Sequence, residues 1–360
     1  MKPKILLCNW THRENVPGGT ETRYSYLKQI FPDAELISYI DLFNDGELCI
    51  VNRDEAARKM DEYYMKRYEE DKNILIIRDA EVGGILDTSH IPQITIFANP
   101  YKSLYEIFSF GGGCWVGLIE LQKKAEKTIK VATSNFMKKD MEKNGLVPDE
   151  IISNPVDTDF FRPLTFDDMG LERATGVSIK KQLRDQYKIP RDRKVGIWVG
   201  DYTNQIKNIK AISYLRKNSN IFWIMVSKGK SKSKKHNIRS FSNVDKKTMR
   251  DLYNCADFFI LTSPVEGFGM ATLEAMACDV PCIISPVGYF YDFWDERIGL
   301  KIEWNDLLAH SMAVKKINPS RMIDDVKIKP REVVIERGLD LRTCKKKWDK
   351  LIKKVMEQTK

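Results

Sequence analysis

Two glutamates, Glu266 and Glu274, are eight residues apart in the stretch EGFGMATLEAMACDVP, which begins at residue 266. Gly267 and Gly269 between them predict a bend, and the residues that follow predict a helix from about Met270. Glu274 then lies in the second turn and Glu266 in the preceding loop, so both are able to face one ligand. Helix-start amides attract an anion, whereas carboxylates repel it. The pair therefore predicts a phosphorylated ligand whose hydroxyl groups the glutamates hold.

The plainer alternative is a solvated loop carboxylate and an ordinary helix-surface glutamate, and the bare spacing fits it equally well. Two further loops favour the ligand site. Gly18 and Gly19 precede a helix predicted from about Thr20, and paired glycines let a backbone approach a ligand closely. Lys207 follows another apolar run and is positioned to reach back over the predicted ligand site, although a helix-surface lysine is the simpler interpretation of that residue by itself.

These loops need a scaffold, and short apolar runs between helical patterns predict an open parallel α/β sheet in each half of the chain. Residues 155–190 between the halves are rich in Pro, Asp and Gly, which indicates a domain boundary. In such sheets ligands bind beyond the carboxyl ends of the strands. The predicted strands are 4–8, 74–78, 94–98, 195–199, 221–226, 256–261 and 280–284.

Length and composition narrow the classes of protein. The 360 residues suffice for two domains, and no apolar run approaches the roughly 20 residues of a membrane span. The N-terminus has no secretory apolar core, so we expect a cytoplasmic protein, peripheral at most at a membrane surface. Seven scattered cysteines without a CxxC pair predict reduced thiols and no metal site. The net charge of +9 suggests anionic partners, with lysines concentrated in 228–235 and 345–354.

Four motifs occur in the order found in one enzyme family: PGGTE near the N-terminus, NPVDTDFFRP from residue 154, LYNCADFFILTSPVEGFGMATLEAMACDVPCIIS from 252, and PVGYF from 286. Together they span most of the chain. In these motifs the sequence resembles the retaining glycosyltransferases of family 4, which have the GT-B fold. The most specific feature is the Glu, seven residues, Glu pattern embedded in EGFG and LEAMA.

The resemblance implies two doubly wound Rossmann-like domains facing a cleft, with a C-terminal helix that crosses back to the first domain. Its implied organisation is an acceptor-side domain, a linker, a nucleotide-sugar-binding domain and a helix that packs back on the N-terminal domain. These segments are residues 1–160, 161–190, 191–336 and 337–360.

Site roles also follow from the resemblance. Glu266 would hold a hydroxyl of the donor sugar, Glu274 the ribose hydroxyls, and Lys207 would neutralise the diphosphate. The remaining donor-binding residues contribute backbone around the diphosphate: Gly18, Gly19, Gly267, Phe268, Gly269, Met270 and Ala271.

The implied reaction transfers a sugar from a nucleoside-diphosphate sugar to a glycan, lipid or protein acceptor with retention of anomeric configuration. It passes through an oxocarbenium-like state without a metal ion or another cofactor. Leaving-group stabilisation is its physical basis, because amides and lysines aimed at a departing diphosphate lower the barrier. Nucleic acid is not an expected partner.

The sequence departs from the family pattern at two places. Asp201 follows Gly200 where the family has an Arg, and the spacing from there to Lys207 is one residue longer. Phosphate neutralisation would therefore fall to another cation, such as Lys228 or Lys230. Ala98 and Asn99 follow the strand after which the family often has a His near the acceptor. We therefore place Asn99 on the acceptor side.

Other functions also fit the sequence. A sugar-nucleotide epimerase or a phosphorylase would share the fold but needs further acid–base residues. A polyanion- or membrane-binding protein with a degenerate site would explain the charge, although it has no need for Glu266 and Glu274. A glycoside hydrolase is disfavoured because both carboxylates belong to one loop and helix. Residues 101–127 combine aromatic and basic residues in a way that predicts contact with an anionic membrane, or else a buried helix.

Overall fold

A computed structural model of the chain describes residues 2–11, 18–45, 52–108, 112–169, 177–228, 237–317, 322–323 and 326–358. Two compact units are present. The first contains residues 1–155, Val265–Phe268 and Leu341–Lys360, and the second contains Val156–Pro264 and Gly269–Asp340. Among the described residues, no helix has the length and apolar character needed to cross a bilayer.

The first unit is built on a parallel sheet of six strands in the order β2-β1-β3-β4-β5-β6. Its strands are β1 (Lys4–Asn9), β2 (Glu35–Ser38), β3 (Ile74–Asp79), β4 (Gln93–Phe97), β5 (Ile129–Ala132) and β6 (Glu150–Ile151). Its helices are α1 (Gly19–Ile30), α2 (Tyr39–Phe43), α3 (Arg53–Glu70), α4 (Tyr101–Ile107), α5 (Gly112–Lys123), α6 (Asn135–Glu142) and the C-terminal α13 (Leu341–Gln358).

The second unit repeats the plan with strand order β12-β11-β10-β7-β8-β9. Its sheet strands are β7 (Val195–Val199), β8 (Phe222–Ser227), β9 (Ile238–Ser242), β10 (Phe258–Leu261), β11 (Cys282–Ile284) and β12 (Gly299–Lys301). Its α-helices are α7 (Ile179–Gln186), α8 (Ile209–Lys217), α9 (Lys246–Cys255), α10 (Met270–Ala277), α11 (Leu307–Lys316) and α12 (Pro330–Glu336). Met322–Ile323 and Val326–Lys327 form a small antiparallel pair, β13 and β14.

The doubly wound α/β architecture predicted from the apolar runs is confirmed in both units. Each predicted run contains or overlaps an observed strand. The strands that the runs do not predict include β2, β6, β9 and β12, which form the edges of the two sheets. An edge strand has a neighbour on only one side and is less buried, as the exposed Glu150 and Ile151 of β6 show, so its apolar signal is weak.

The C-terminal helix α13 belongs to the core of the first unit. Trp348, Leu351 and Val355 are buried on one face, and they pack with α1 and strands β1, β3 and β4. Burying such side chains stabilises a domain by about 1.5–3 kcal/mol each. The helix is therefore part of the first unit's hydrophobic core, as the resemblance predicts.

The boundaries between the units fall at Pro155 and at Asp340. Residues 161–190, predicted as a linker, belong to the second unit wherever the structure describes them. Phe161 and Leu183 in this range are buried, and Lys180 and Arg184 of α7 bind the Asp257 carboxylate. This part of the chain is thus packed into the second unit.

Candidate functional site

The loop after β10 leads into helix α10, whose N-terminus has no side-chain cap. Gly269 precedes the helix with φ of 100°, a left-handed conformation that favours glycine. Met270 and Ala271 occupy the first turn, where backbone amides have no acceptor within the helix. The helix start therefore offers donors and a positive dipole end to an anion.

Thr272 is a feature of this helix start that the sequence reasoning missed. Its side chain is fully buried, and its hydroxyl has no hydrogen-bond partner among the described residues. The Thr272 oxygen lies 3.7 Å from where a Cβ would stand on Gly269, so it lies beside the first turn. A buried hydroxyl without a partner is costly, and a polar ligand at this end would supply one.

Glu274 lies in the second turn of α10, as predicted, and the Tyr253 hydroxyl holds it. That hydroxyl lies 3.1 Å from Glu274 Oε2 and 3.1 Å from the Ala271 carbonyl oxygen. Burial raises the pKa of Glu274 from its ordinary value of 4.5 to about 7, while the hydrogen bond from Tyr253 opposes the rise. Because Glu274 is half-buried and accepts a hydrogen bond from Tyr253, its interpretation as an ordinary solvated helix-surface glutamate is disfavoured.

Lys207 ends the 3-10 turn Gln205–Lys207 after β7. A Cβ on Gly200 would lie only 3.1 Å from Lys207 Cγ, so the aliphatic part of the Lys207 side chain packs against the glycine that follows β7. The Thr262 hydroxyl donates to the Lys207 carbonyl at 3.2 Å. Asn208, in a left-handed conformation, donates to the carbonyls of Thr262 and Trp304. The turn that carries Lys207 is therefore fixed to the residue that follows β10.

Asp201, which stands where the family has an Arg, has a local role. Its carboxylate accepts from both the amide and the hydroxyl of Thr203, at 2.8 and 2.7 Å. Such a turn orders the loop between β7 and Lys207. Of the replacement cations suggested by the sequence, Lys228 directly follows β8, whereas Lys230 lies outside the described residues.

In the first unit, Gly18 caps helix α1 without a side-chain hydrogen bond, and Gly19 begins the helix. A Cβ on Gly19 would meet no described atom within 4 Å. The described part of the fold therefore does not require glycine at this position. A glycine at this position agrees with the prediction that a ligand approaches the backbone closely here.

Glu266, Gly267 and Phe268 belong to the first unit, although most residues near them in sequence belong to the second. The Ser134 hydroxyl donates to the Gly267 carbonyl at 2.9 Å. A Cβ on Gly267 would stand 1.7 Å from the Ala98 carbonyl oxygen, so only glycine fits there. The segment that carries Glu266 thus lies against the loop after β4.

Asn99, the predicted acceptor-side residue, lies in that same loop beside a buried polar cluster. Gln122 donates to the Asn99 carbonyl at 3.0 Å and to Glu81 Oε1 at 3.1 Å. Two residues before Glu81, Asp79 at the end of β3 pairs with the Arg23 guanidinium, and both side chains are buried. Burial raises the pKa of Asp79, and the Arg23 charge opposes the rise.

Sequence reasoning missed this cluster. The part of the sequence that could have indicated it is the stretch RDAE, residues 78–81, where two carboxylates come at or just after the end of a buried strand. No three His, Cys, Asp or Glu side chains come together as metal ligands would in the described part of the chain.

The predicted residues thus divide between the units. The second unit contains Gly269, Met270, Ala271, Glu274 and Lys207, connected through Thr262 and the chain from β10 to α10. The first unit contains Gly18, Gly19, Asn99, Glu266, Gly267 and Phe268.

Residues 179–300 match the family model described as glycosyl transferases group 1. No curated protein sequence matches the chain significantly. The matched range covers strands β7 to β11 and both Lys207 and Glu274.

Solved structures similar to this chain extend over nearly its whole length. Sucrose-phosphate synthase from Thermosynechococcus elongatus has a TM-score of 0.81 at 14% identity, covering 99% of this chain and 100% of that one. Anabaena Alr3699/HepE in complex with UDP and glucose has a TM-score of 0.73 at 14% identity, covering 98% and 100%. The α,α-trehalose 6-phosphate synthase of Burkholderia multivorans has 0.67 at 10%, covering 99% and 98%.

The fold is the one these structures share, and the family match falls on the unit that contains Lys207 and Glu274. The chain therefore has the GT-B fold, and its second unit contains a region that matches the glycosyl transferases group 1 family.

Proposed function

We propose that this protein is a retaining glycosyltransferase of family 4 that uses a nucleoside-diphosphate sugar and requires no metal ion. The observation that carries the proposal is helix α10. Its uncapped start and the unpartnered Thr272 hydroxyl suit a diphosphate, and Glu274 one turn further suits ribose. The resemblance in the EGFG and LEAMA motifs supports the same division.

In this proposal the residues of the second unit stabilise the leaving group. A departing nucleoside diphosphate gains negative charge in the transition state, and the α10 dipole with the Lys207 ammonium counters it. Because Thr262 and Asn208 fix the turn of Lys207, its charge needs little reorganisation during the reaction. Glu266 would orient the migrating sugar by holding a hydroxyl group. The acceptor is a glycan, lipid or protein.

Calorimetric titration with several nucleoside diphosphates tests the donor class. HepE was solved in complex with UDP-glucose, so UDP is the first ligand to examine. We expect one base to bind well above the others and binding to persist in a metal chelator. Binding that is sensitive to salt and indifferent to the base would support the polyanion-binding alternative instead.

Retention of the anomeric configuration is tested on the product of the transfer reaction. With a matching sugar nucleotide and acceptor, NMR should show the donor's anomeric configuration in the new bond. An inverted product would refute the family 4 assignment, and an epimerised nucleotide sugar without transfer would support the epimerase.

Lys207→Ala is expected to weaken nucleoside diphosphate binding by roughly 10- to 100-fold and to slow transfer, because a charge-assisted hydrogen bond contributes about 1.5–3 kcal/mol. Calorimetry and initial rates measure the two effects. Lys210→Ala, on the exposed first turn of α8, is the matched control and should bind normally. If the Lys207 variant also binds normally, the phosphate charge is countered elsewhere, and Lys228→Ala becomes the variant to measure.

Glu274→Gln is expected to raise the melting temperature at about pH 8 and to change it little at about pH 5. The folded state holds a proton on Glu274 up to pH about 7, whereas the unfolded chain releases it near 4.5. Wild-type stability therefore falls as the pH rises from 4.5 to 7, by about 1.4 kcal/mol for each unit of pKa difference. The neutral amide in the variant removes that cost.

Calorimetric melting at both pH values checks this prediction. Glu69→Gln, an exposed position on α3, should shift the melting temperature equally at both. An equal shift for Glu274→Gln as well would contradict the raised pKa. Since an ionised carboxylate accepts hydroxyl groups better, nucleoside diphosphate affinity of the wild type should also increase as the pH passes 7.

A further inference from the structure

A cavity of about 360 Å³ lies in the first unit among helices α4, α5 and the residues after α6. Its volume is at the small end of the range for small-molecule sites. Most of its lining is exposed, so it opens to the surface. The lining residues are Lys102, Tyr105, Val116, Ile119, Glu120, Lys123, Lys143 and Asn144.

Positive charge dominates this lining. Three of the residues are lysines and one is a carboxylate. Lys123 pairs with Glu120 at 2.9 Å and Lys143 pairs with Glu106 at 2.6 Å. All four side chains are more than 40% exposed, and ion pairs this exposed contribute little to stability. A phosphate in the cavity could therefore replace Glu120 and Glu106 as the partner of these lysines at little cost.

Apolar groups surround the same opening. Tyr105 and Val116 line the cavity and are 36% and 45% exposed, and Ile107 at the end of α4 is 43% exposed. The Lys102 ammonium lies 5.8 Å from the centre of the Tyr105 ring. Exposed aromatic and aliphatic side chains mixed with lysines are typical of elements that lie in the interfacial layer of a bilayer.

We propose that this cavity binds the phosphate headgroup of an anionic membrane lipid, while Tyr105, Ile107 and Val116 enter the interfacial layer. A free phosphate would need the lysines but not the apolar rim. A protein partner held by the apolar rim alone would not need three lysines. The combination fits a lipid, whose charged headgroup and apolar chain are joined in one molecule. This inference concerns membrane binding and does not depend on the proposed donor chemistry.

Co-sedimentation of the full chain with vesicles tests the proposal. We expect binding to phosphatidylglycerol vesicles at low salt and little binding to phosphatidylcholine vesicles. Lys102→Ala with Lys143→Ala should lower partitioning about 25-fold, since each lysine near an anionic surface contributes about fivefold. Val116→Asp should lower it as well, because a carboxylate resists insertion.

Lys350→Ala with Lys353→Ala, two exposed lysines of helix α13, is the matched control. Normal partitioning of this control supports the proposal, and a loss as large as that of the cavity variants would overturn it. Equal binding of the wild type to both vesicle types would also overturn it. So would binding of inorganic phosphate without binding to vesicles. Unchanged melting temperature and nucleoside diphosphate affinity in the cavity variants show that folding and the donor site are intact.

Discussion

Glu266→Ala is expected to lower turnover by roughly 10²- to 10³-fold, the loss typical of removing one group that stabilises a transition state. Affinity for the free nucleoside diphosphate should stay nearly unchanged, because that ligand has no sugar for Glu266 to contact. In the proposed function this carboxylate holds the migrating sugar, whose geometry and charge change during the reaction. Turnover and calorimetric affinity measure the two effects separately.

Glu274→Ala is the matched comparison. Its proposed partner, ribose, does not react, so its loss should weaken binding of donor and free nucleoside diphosphate alike. Equal loss of nucleoside diphosphate affinity in the two variants would refute the division of roles. If both glutamates were only structural, melting temperature and every activity would fall together.

Gly267→Ala is expected to disrupt the packing of the segment that carries Glu266. The added Cβ would stand 1.7 Å from the Ala98 carbonyl oxygen, and the obstacle is backbone, which cannot rotate away. Overpacking of this kind typically costs about 1–3 kcal/mol or more. The segment must therefore shift, and we expect transfer to fall at least as far as in Glu266→Ala, together with a lower melting temperature.

Two further variants make this prediction specific. Gly117→Ala lies in helix α5, where a Cβ meets no described atom within 4 Å, so it should be neutral or slightly stabilising. Ser134→Ala removes the hydrogen bond to the Gly267 carbonyl and should reduce transfer in the same direction, with a partial recovery in Ser134→Thr. Normal transfer by Gly267→Ala would show that the position of this segment is unimportant for the reaction.

The sequence by itself determined the scaffold and the helix that begins the candidate site. Apolar runs such as those of β3 and β7 predict buried parallel strands, because a strand that is buried on both faces needs apolar residues at consecutive positions. The glycines of EGFG likewise predict the start of α10, because the backbone freedom of glycine is a property of the residue and does not depend on distant contacts. Glu274 in the second turn follows directly from that start.

Only the tertiary structure decided what surrounds these residues. Burial raises the pKa of Glu274 against the opposing hydrogen bond from Tyr253, and Lys207 is fixed by Thr262, which is distant in sequence. Gly267 lies against Ala98 and Ser134, more than a hundred residues earlier in the chain. The periodicity of apolar residues indicates which face of its own helix or strand each side chain occupies. Contacts between distant segments depend on which segments the fold brings together, and no local pattern contains that information.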